Sequence, residues 1–482
     1  YTWIKPYEVK RWKQYWYPVK DIEGFKNANL DAAVNLEKRE GNTVFLGYHS
    51  TQKLENARIL LKKGNNIFYK KDIQISPEKA FVESVKMKGD FNLTDLYTEM
   101  VDLKTNTTII SYQPLEKKKT GELPKEVKRP PAPEDIETVD ELYVTGSRME
   151  QFYKNPDSYY QEVLKRDPNH VQTNTAIGNQ YLKNGDYKTA RKYFSTAIKR
   201  LTTDYNRPKN TEALYLQGLT LKALELYDAA IDTLYRATWD YSYHSSAYFE
   251  LAQISCLKGD FEKALHQINE SLSTNTRNTR AIGLKASIQR KLGDFDDANE
   301  TLSNIVEIDP LNFRVANEVY LVAKASGNSK TAEKARTSFT KKMRNFNQNY
   351  LELAVGYINE GMLSEAKEVL LGYEGDGPII QYYLGYIQSK LGSKDEALAL
   401  FKKAQSLSTD YSFPYRLETV KILKTALECN AMDGKANYYL GNILYNKQPE
   451  KAIEYWENAI KNEPDLAMAY RNLGWGYYRH YN

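Results

Sequence analysis

The sequence predicts an α-helical solenoid of paired antiparallel helices, preceded by a separate all-β domain. Two observations carry the solenoid. Gly218, Ala252, Ala286, Tyr320 and Ala354 recur every 34 residues, and Ala230, Ala264, Ala298, Ala332 and Ala366 recur at the same step. Helices that meet backbone to backbone need a small residue at one fixed point of every pair, so a comb at this period marks a repeated helical hairpin. Tyr320 is the one bulky member. The third observation lies ahead of the combs, where apolar residues alternate with polar ones from about residue 30 to residue 113, the period of half-buried strands.

Composition narrows the function classes. The 482 residues are 41% hydrophobic and 27% charged, as in globular proteins rather than disordered ones. Sixty-seven basic against 62 acidic side chains give +5, too small an excess for a nucleic-acid footprint, so no nucleic-acid partner is expected. No apolar run reaches the 18 or so residues that a membrane span requires. The chain starts at Tyr1 rather than Met and reads as a piece of something longer, so the lack of a leader does not fix the compartment. The two cysteines, Cys256 and Cys429, both fall among helical apolar residues and are expected as buried free thiols.

Residues 1–25 hold Trp3, Trp12, Trp16, Tyr7, Tyr15 and Tyr17. So many rings need a surface, and the segment reads as a strap or the tail of a missing N-terminal domain, with a sugar-stacking platform as the alternative. Residues 26–113 contain seven strand-like runs, at about 30–36, 43–48, 57–61, 67–75, 81–87, 96–103 and 107–112. Turn signals such as Glu40-Gly41-Asn42 and Lys88-Gly89-Asp90 separate them. That pattern predicts an immunoglobulin-like β-sandwich, without the cysteine pair of antibody domains. His49 stands alone in it and is read as a packing histidine. Residues 114–137 are rich in Pro, Lys and Glu and read as a linker, with Lys117, Lys118 and Lys119 as a solvated run.

The array occupies residues 138–482. An irregular first pair ends at Asp167-Pro168-Asn169. The next fills the tetratricopeptide pattern with Ile177, Gly178, Tyr181, Gly185-Asp186-Tyr187, Ala190, Phe194 and Ala197. Gly178 and Ala190 admit close approach, Tyr187 and Phe194 fill the space between helices, and Gly185 allows the tight turn. Later pairs repeat these pieces at Gly259, Gly293, Gly327, Gly361 and Gly392. The step from Ala354 to Gly385 shortens to 31, which predicts a clipped second helix near 372–377. Residues 405–433 read as an extra helix or an offset repeat. Gly441, Ala452, Trp456 and Ala459 resume the pattern, and Leu473, Gly474 and Tyr477 open another first helix with no polar cap after it, which reads as a truncated boundary.

No catalytic residue, metal site or cofactor is expected. The five histidines never pair at helical spacing, no Cys-x-x-Cys or His-Glu-x-x-His occurs, and no Gly-x-x-x-x-Gly-Lys-Ser/Thr phosphate cradle is present. A solenoid offers instead a concave face made by the first helix of each pair. Positions that packing does not claim there hold Asn179, Lys183, Tyr215, Lys222, Phe249, Gln253, Arg280, Arg290 and Lys291, then Arg314, Asn317, Lys324, Tyr382, Tyr386, Tyr438, Asn442 and Tyr445. Amides, rings and cations, with Glu212 the sole acid, suit an extended and acidic protein or peptide. The expectation is an open superhelix with this wall left free. The lysine-asparagine clamp of chaperone-binding arrays is missing, since Thr175 stands where its lysine belongs.

Several stretches resemble a known family. Glu141-Leu142-Tyr143-Val144-Thr145-Gly146, Met149-Glu150-Gln151-Phe152, Arg236-Ala237-Thr238-Trp239, Ala247-Tyr248-Phe249-Glu250-Leu251-Ala252 and Tyr438-Tyr439-Leu440-Gly441-Asn442 are similar to an uncharacterised bacterial family. In that family a galactose-mutarotase-like β-supersandwich precedes a small β-sandwich and a tetratricopeptide array. Tyr15-Trp16-Tyr17-Pro18-Val19 resembles the tail of the supersandwich. The reading of the chain itself is a non-catalytic interaction scaffold that binds a protein, peptide or neighbouring domain. The resemblance implies as the alternative the accessory portion of a carbohydrate-binding or carbohydrate-processing bacterial protein, with sugar bound through the missing domain. A periplasmic or extracellular location is expected.

Overall fold

A computed structural model describes residues 13–116 and 129–480. Trp3, Tyr7 and Trp12 of the aromatic segment and Lys117, Lys118 and Lys119 lie outside the described residues. The chain forms two compact units, residues 1–128 and 129–482.

The first unit is an all-β sandwich. Its strands are β1 (Asn27–Ala28), β2 (Ala32–Arg39), β3 (Thr43–Ser50), β4 (Leu54–Lys63), β5 (Asn66–Ile75), β6 (Phe81–Lys86), β7 (Leu96–Asp102) and β8 (Thr107–Tyr112). They pair antiparallel into two four-stranded sheets, ordered β1-β2-β3-β6 and β5-β4-β7-β8. Seven strands match the sequence pattern. The two-residue β1, which pairs Asn27 with Val34, is too short to show a period. Leu36, Leu46, Ile59, Leu61, Leu96 and Met100 bury their side chains in the core. Tyr48 on β3 meets Thr98 on β7 at 2.6 Å, so one polar pair inside that core ties the two sheets together. In the described part of the aromatic segment, Tyr17 donates to the carbonyls of Asn29 and Ala32, while Trp16 is exposed.

The second unit is helical. Its first helices of pairs are α1 (Val139–Gln151), α3 (Val171–Lys183), α5 (Glu212–Ala223), α7 (Tyr241–Leu257), α9 (Thr279–Leu292), α11 (Phe313–Ala325), α13 (Asn347–Asn359) and α15 (Pro378–Lys390). The second helices are α2 (Asp157–Arg166), α4 (Tyr187–Leu201), α6 (Tyr227–Ala237), α8 (Phe261–Thr274), α10 (Phe295–Ile308), α12 (Ser329–Met343), α14 (Leu363–Leu371) and α16 (Lys394–Ser406). A single helix α17 (Leu417–Cys429) follows, then the pair α18 (Gly434–Leu444) and α19 (Pro449–Asn462), then α20 (Ala467–His480). Asp186, Asp260, Asn278, Asn312 and Asn328 each cap a helix by accepting a backbone hydrogen bond. Gly185 takes φ +76 in the turn between α3 and α4, a region that an L side chain enters only with strain.

The small residue of each first helix works as a notch. A Cβ placed on Gly178 would stand 2.7 Å from the ring of Phe194, on Gly385 2.5 Å from Phe401, and on Gly441 2.3 Å from Trp456. Gly146 with Tyr160 and Gly218 with Leu234 repeat the arrangement at 2.6 Å and 2.5 Å. Each pair is thus locked by a bulky knob from its second helix, which seats the two backbones close together.

Three expectations are corrected. Residues 129–137 are not a detached linker, because Ile136 is buried with Leu142 and Val163 and its carbonyl accepts from Arg166. Cys429 is exposed, at the end of the solitary α17, while Cys256 is buried as expected. The array is also not an open spiral that touches only neighbouring repeats. The turn between α13 and α14 folds back, so that a Cβ on Gly361 would meet the Cα of Leu257 at 3.0 Å. Leu417 of α17 packs against Gly185, Lys421 pairs with Glu225, and Gln448 donates to the carbonyl of Asn184 at 2.8 Å.

Candidate functional site

The inner row of first helices carries the candidate residues, and the folded-back chain claims most of them. In the middle of the array α13 and α14 bring three carboxylates to that row. Glu360 accepts from Arg314 at 2.6 Å, Glu365 from Arg290 at 3.1 Å and Lys291 at 2.5 Å, and Glu368 from Lys324 at 2.9 Å and Tyr320 at 2.6 Å. Arg290 also holds Glu318 at 2.7 Å, while Tyr357 donates to Glu318 at 2.7 Å and accepts from Asn317 at 2.8 Å. Burial pushes the Glu318 carboxyl up, but Arg290 and Arg314 overcome it and hold the group below the usual carboxylate range. Burial wins at Glu360, whose pKa stays raised despite Arg314. Arg290, Arg314 and Asn317 are therefore held inside a polar network, and Lys291 and Lys324, though exposed, are already paired with Glu365 and Glu368. Helical spacing gave their face correctly, but cannot show that a hairpin some 40 to 75 residues later covers it.

The later candidates are packing residues too. Tyr382 is fully buried and donates to Asp433 at 3.0 Å, and Tyr438 is buried against Tyr439. Tyr386 is buried with Lys390 and Lys421 each 5.6 Å from its ring. Asn442 accepts from Trp456 at 3.0 Å and from Asn472 at 2.9 Å, and Tyr445 packs on Trp456 with ring centroids 5.2 Å apart. Nearer the start, Lys222 is bound to Glu250 at 2.6 Å and to the buried Gln253 at 2.5 Å. Phe249 is buried under Arg280, whose guanidinium lies 5.2 Å from the ring.

A shorter stretch remains. Asn179 is half-buried, and Lys183 and Arg280 are exposed, with no carboxylate partner among the described residues. Tyr215 stacks on Tyr243 at 5.2 Å, and both are half-buried. Burial pushes the Tyr215 hydroxyl up to about 12, with Glu250 adding to it. Burial also raises Glu212, whose charge adds to the raised pKa of Tyr143 and of Tyr243. One face thus runs from Tyr143 on α1 past Asn179 and Lys183 on α3, Glu212 and Tyr215 on α5 and Tyr243 on α7 to Arg280 on α9.

Sequence reasoning missed two of these. Tyr143 stands three residues before the notch glycine Gly146, an inward position, but lies in the irregular first pair. Tyr243 lies ahead of the 34-residue pattern because α7 begins early, at Tyr241, after its cap Asp240. Among the described residues no group of three or more His, Cys, Asp or Glu is placed to hold a metal ion, and no helix is long and apolar enough to cross a membrane.

Comparison with known proteins agrees with the two kinds of fold. Residues 27–112 match the family model described as "YphG-like protein, second domain". Tetratricopeptide repeat models match residues 175–243, 380–411 and 435–465. One curated relative, "BBSome complex member BBS4" of Bos taurus, is 27% identical over 130 residues, which is 27% of this chain and 24% of that protein. The match thus spans about a quarter of the relative's length. A solved tetratricopeptide repeat protein from Parabacteroides merdae is 18% identical with a TM-score of 0.37, covering 54% of this chain and 98% of its own. Pseudomonas aeruginosa pilF is 18% identical with a TM-score of 0.38, covering 45% and 94%. The chain thus carries tetratricopeptide repeats behind an N-terminal β-sandwich.

Proposed function

We propose that this tetratricopeptide repeat protein is a non-catalytic scaffold that takes an extended, acidic segment of a protein partner on the inner row from α1 to α9. The observation that carries the reading is the half-buried Tyr215–Tyr243 stack, with centroids 5.2 Å apart, in a row that also holds the unpaired cations Lys183 and Arg280. Stacked tyrosines offer rigid apolar area with a polar edge, which binds a chain at small entropic cost. Cations without carboxylate partners favour an acidic ligand, whose acids would sit at Lys183 and Arg280 and away from the half-buried Glu212, which repels them.

The test is a peptide-display selection on the whole chain, followed by fluorescence anisotropy with the enriched peptides. Acidic sequences are expected to enrich, and Tyr215→Ala or Arg280→Glu should each weaken them about tenfold or more, the range of a lost interface ring or of a charge reversal. Equal binding by parent and variants, or enrichment of basic sequences, defeats the reading.

A further inference from the structure

We infer that Glu212, with the rings of Tyr143, Tyr215 and Tyr243 around it, takes the ammonium of one lysine in the bound segment. This deepens the inner-row reading and rests on it. Other carboxylates of the inner row are met by cations of the array itself. Glu250 holds Lys222 at 2.6 Å, Glu318 holds Arg290 at 2.7 Å and Glu360 holds Arg314 at 2.6 Å. Glu212 is the exception, since among the described residues neither a cation nor a hydrogen-bond donor reaches its carboxylate. It is half-buried all the same, and burial raises its pKa. A carboxylate partly removed from water without a counter-charge is costly to ionise, and an arriving cation removes that cost.

The start of α5 places the group. Thr211, just before Glu212, donates its hydroxyl to the Ala237 carbonyl at 2.8 Å and its amide to Asp240 at 3.2 Å, so the first turn of α5 is tied to the first turn of α7. Tyr215 lies one turn on from Glu212, Tyr243 one turn on from Asp240, and the two rings stack at 5.2 Å. Tyr143 comes from α1, close enough for the Glu212 charge to raise its pKa as it does that of Tyr243. Asp240 is not a second free acid, because it accepts from the amides of Thr211 and Ser242. Ring faces beside an unmatched carboxylate attract a cation and repel an anion. The rings also select among cations. Tyr215 and Tyr243 each turn a face to the other, and Tyr143 stacks on Tyr160 at 6.2 Å and lies 5.5 Å from His170. A trimethylammonium or a flat guanidinium seeks open ring faces, and here these are partly used. A primary ammonium instead carries three N–H donors, which the carboxylate and the hydroxyl oxygens at the ring edges accept. Lys183 on α3 and Arg280 on α9 flank the position along the row, so the segment that fits reads acid, lysine, acid.

Titration of Nα-acetyl-lysine amide against the whole chain, followed by saturation-transfer NMR, tests the subsite by itself. Saturable binding is expected, weakened about tenfold or more by Glu212→Gln, the range of a lost charge pair at a partly desolvated site. Nα-acetyl-norleucine amide, which lacks the ammonium, should not bind, and the trimethyllysine and arginine amides should bind more weakly than lysine. Glu212→Gln breaks no side-chain contact of the array, so the fold tolerates it. Arg280 lies near enough to lower the pKa of Tyr215, so Arg280→Glu, which weakens acidic peptides in the inner-row test, should strengthen the lysine amide. In an acidic peptide that binds, replacing its lysine by norleucine should lose about tenfold on the parent and nothing on Glu212→Gln. A lysine amide that fails to bind, or that binds parent and Glu212→Gln alike, overturns the inference, as does tighter binding of the trimethyllysine or arginine amide. Acidic peptides that bind with no lysine in common overturn it too and leave the inner-row reading intact. Lysine-amide binding that Glu212→Gln abolishes, with no acidic peptide bound, upholds the subsite and defeats that reading.

Discussion

The guanidinium of Arg314 lies over the ring of Tyr357, its central carbon 3.7 Å from the ring centroid, while the Tyr357 hydroxyl donates a hydrogen bond to Glu318 at 2.7 Å. One cation, one ring and two acids, Glu318 and Glu360, so hold a helix of the later array against the inner row of the earlier one. Arg314→Leu would leave Glu360 buried without its counter-charge and is expected to cost about 3–5 kcal/mol in urea denaturation. Arg290→Glu sets a third acid beside Glu318 and Glu365 and should unfold the array rather than report on ligand binding.

Asp433 gives a stability effect with a defined sign. Burial raises its pKa above 3.8, against the amide of Ala436 and the hydroxyl of Tyr382 that favour the anion. A carboxyl whose folded pKa exceeds its unfolded value contributes stability below the unfolded pKa and loses it as pH rises through the folded one. Asp433→Asn keeps an acceptor for the cap and cannot ionise. Its stability relative to the parent should therefore climb from about pH 4 upward and level off above the folded pKa. Glu318, with its lowered pKa, runs oppositely: its contribution is present above pH 4.5 and fades as pH falls through the folded value. Denaturation midpoints of Asp433→Asn and the parent at several pH values check the first slope, and the same series with Glu318→Gln checks the second.

The glycine notches predict opposite outcomes for one substitution. Gly178→Ala, Gly385→Ala and Gly441→Ala each drive a methyl into a ring and should lose about 1–3 kcal/mol by overpacking. Gly474→Ala meets open space and should gain about 0.5–1 kcal/mol from helix propensity. Thermal unfolding of the four variants decides between them.

The two thiols should differ in reactivity. Burial pushes Cys256 up to about 12, with Glu360 adding to it, and the side chain is enclosed, whereas Cys429 is exposed. A thiol-specific chromogenic reagent at pH 8 should modify one cysteine in the native chain and two after denaturation. Cys429→Ser should abolish the native reaction.

Much of the fold was legible because it depends on neighbours in sequence. The combs from Gly218 to Ala354 and from Ala230 to Ala366 report contacts within a hairpin, and turn residues such as Gly185 and Gly259 report local dihedrals. Strands β2 to β8 show through their alternation for the same reason. What stayed hidden depends on residues far apart. Nothing at Arg290 announces Glu365, and nothing at Gly185 announces Leu417, since helical period gives the direction of a side chain but not what arrives in front of it. Hence most polar positions of the inner row looked free and are not. The surviving face, Tyr143 to Arg280, lies where the later helices do not fold back.

The seam between the two halves of the array alters how the molecule comes apart. A linear stack of hairpins can fray one unit at a time from either end, its energy a sum of adjacent terms. Here Gln448 holds Asn184 across 264 residues and Lys421 holds Glu225 across 196, so α3 to α5 cannot loosen without releasing α17 and the turn before α19. Chain closure over such spans is slow to form. A single steep melting transition, and refolding that lags behind short repeat arrays, follow from fastening the last third of the helical array to its first third.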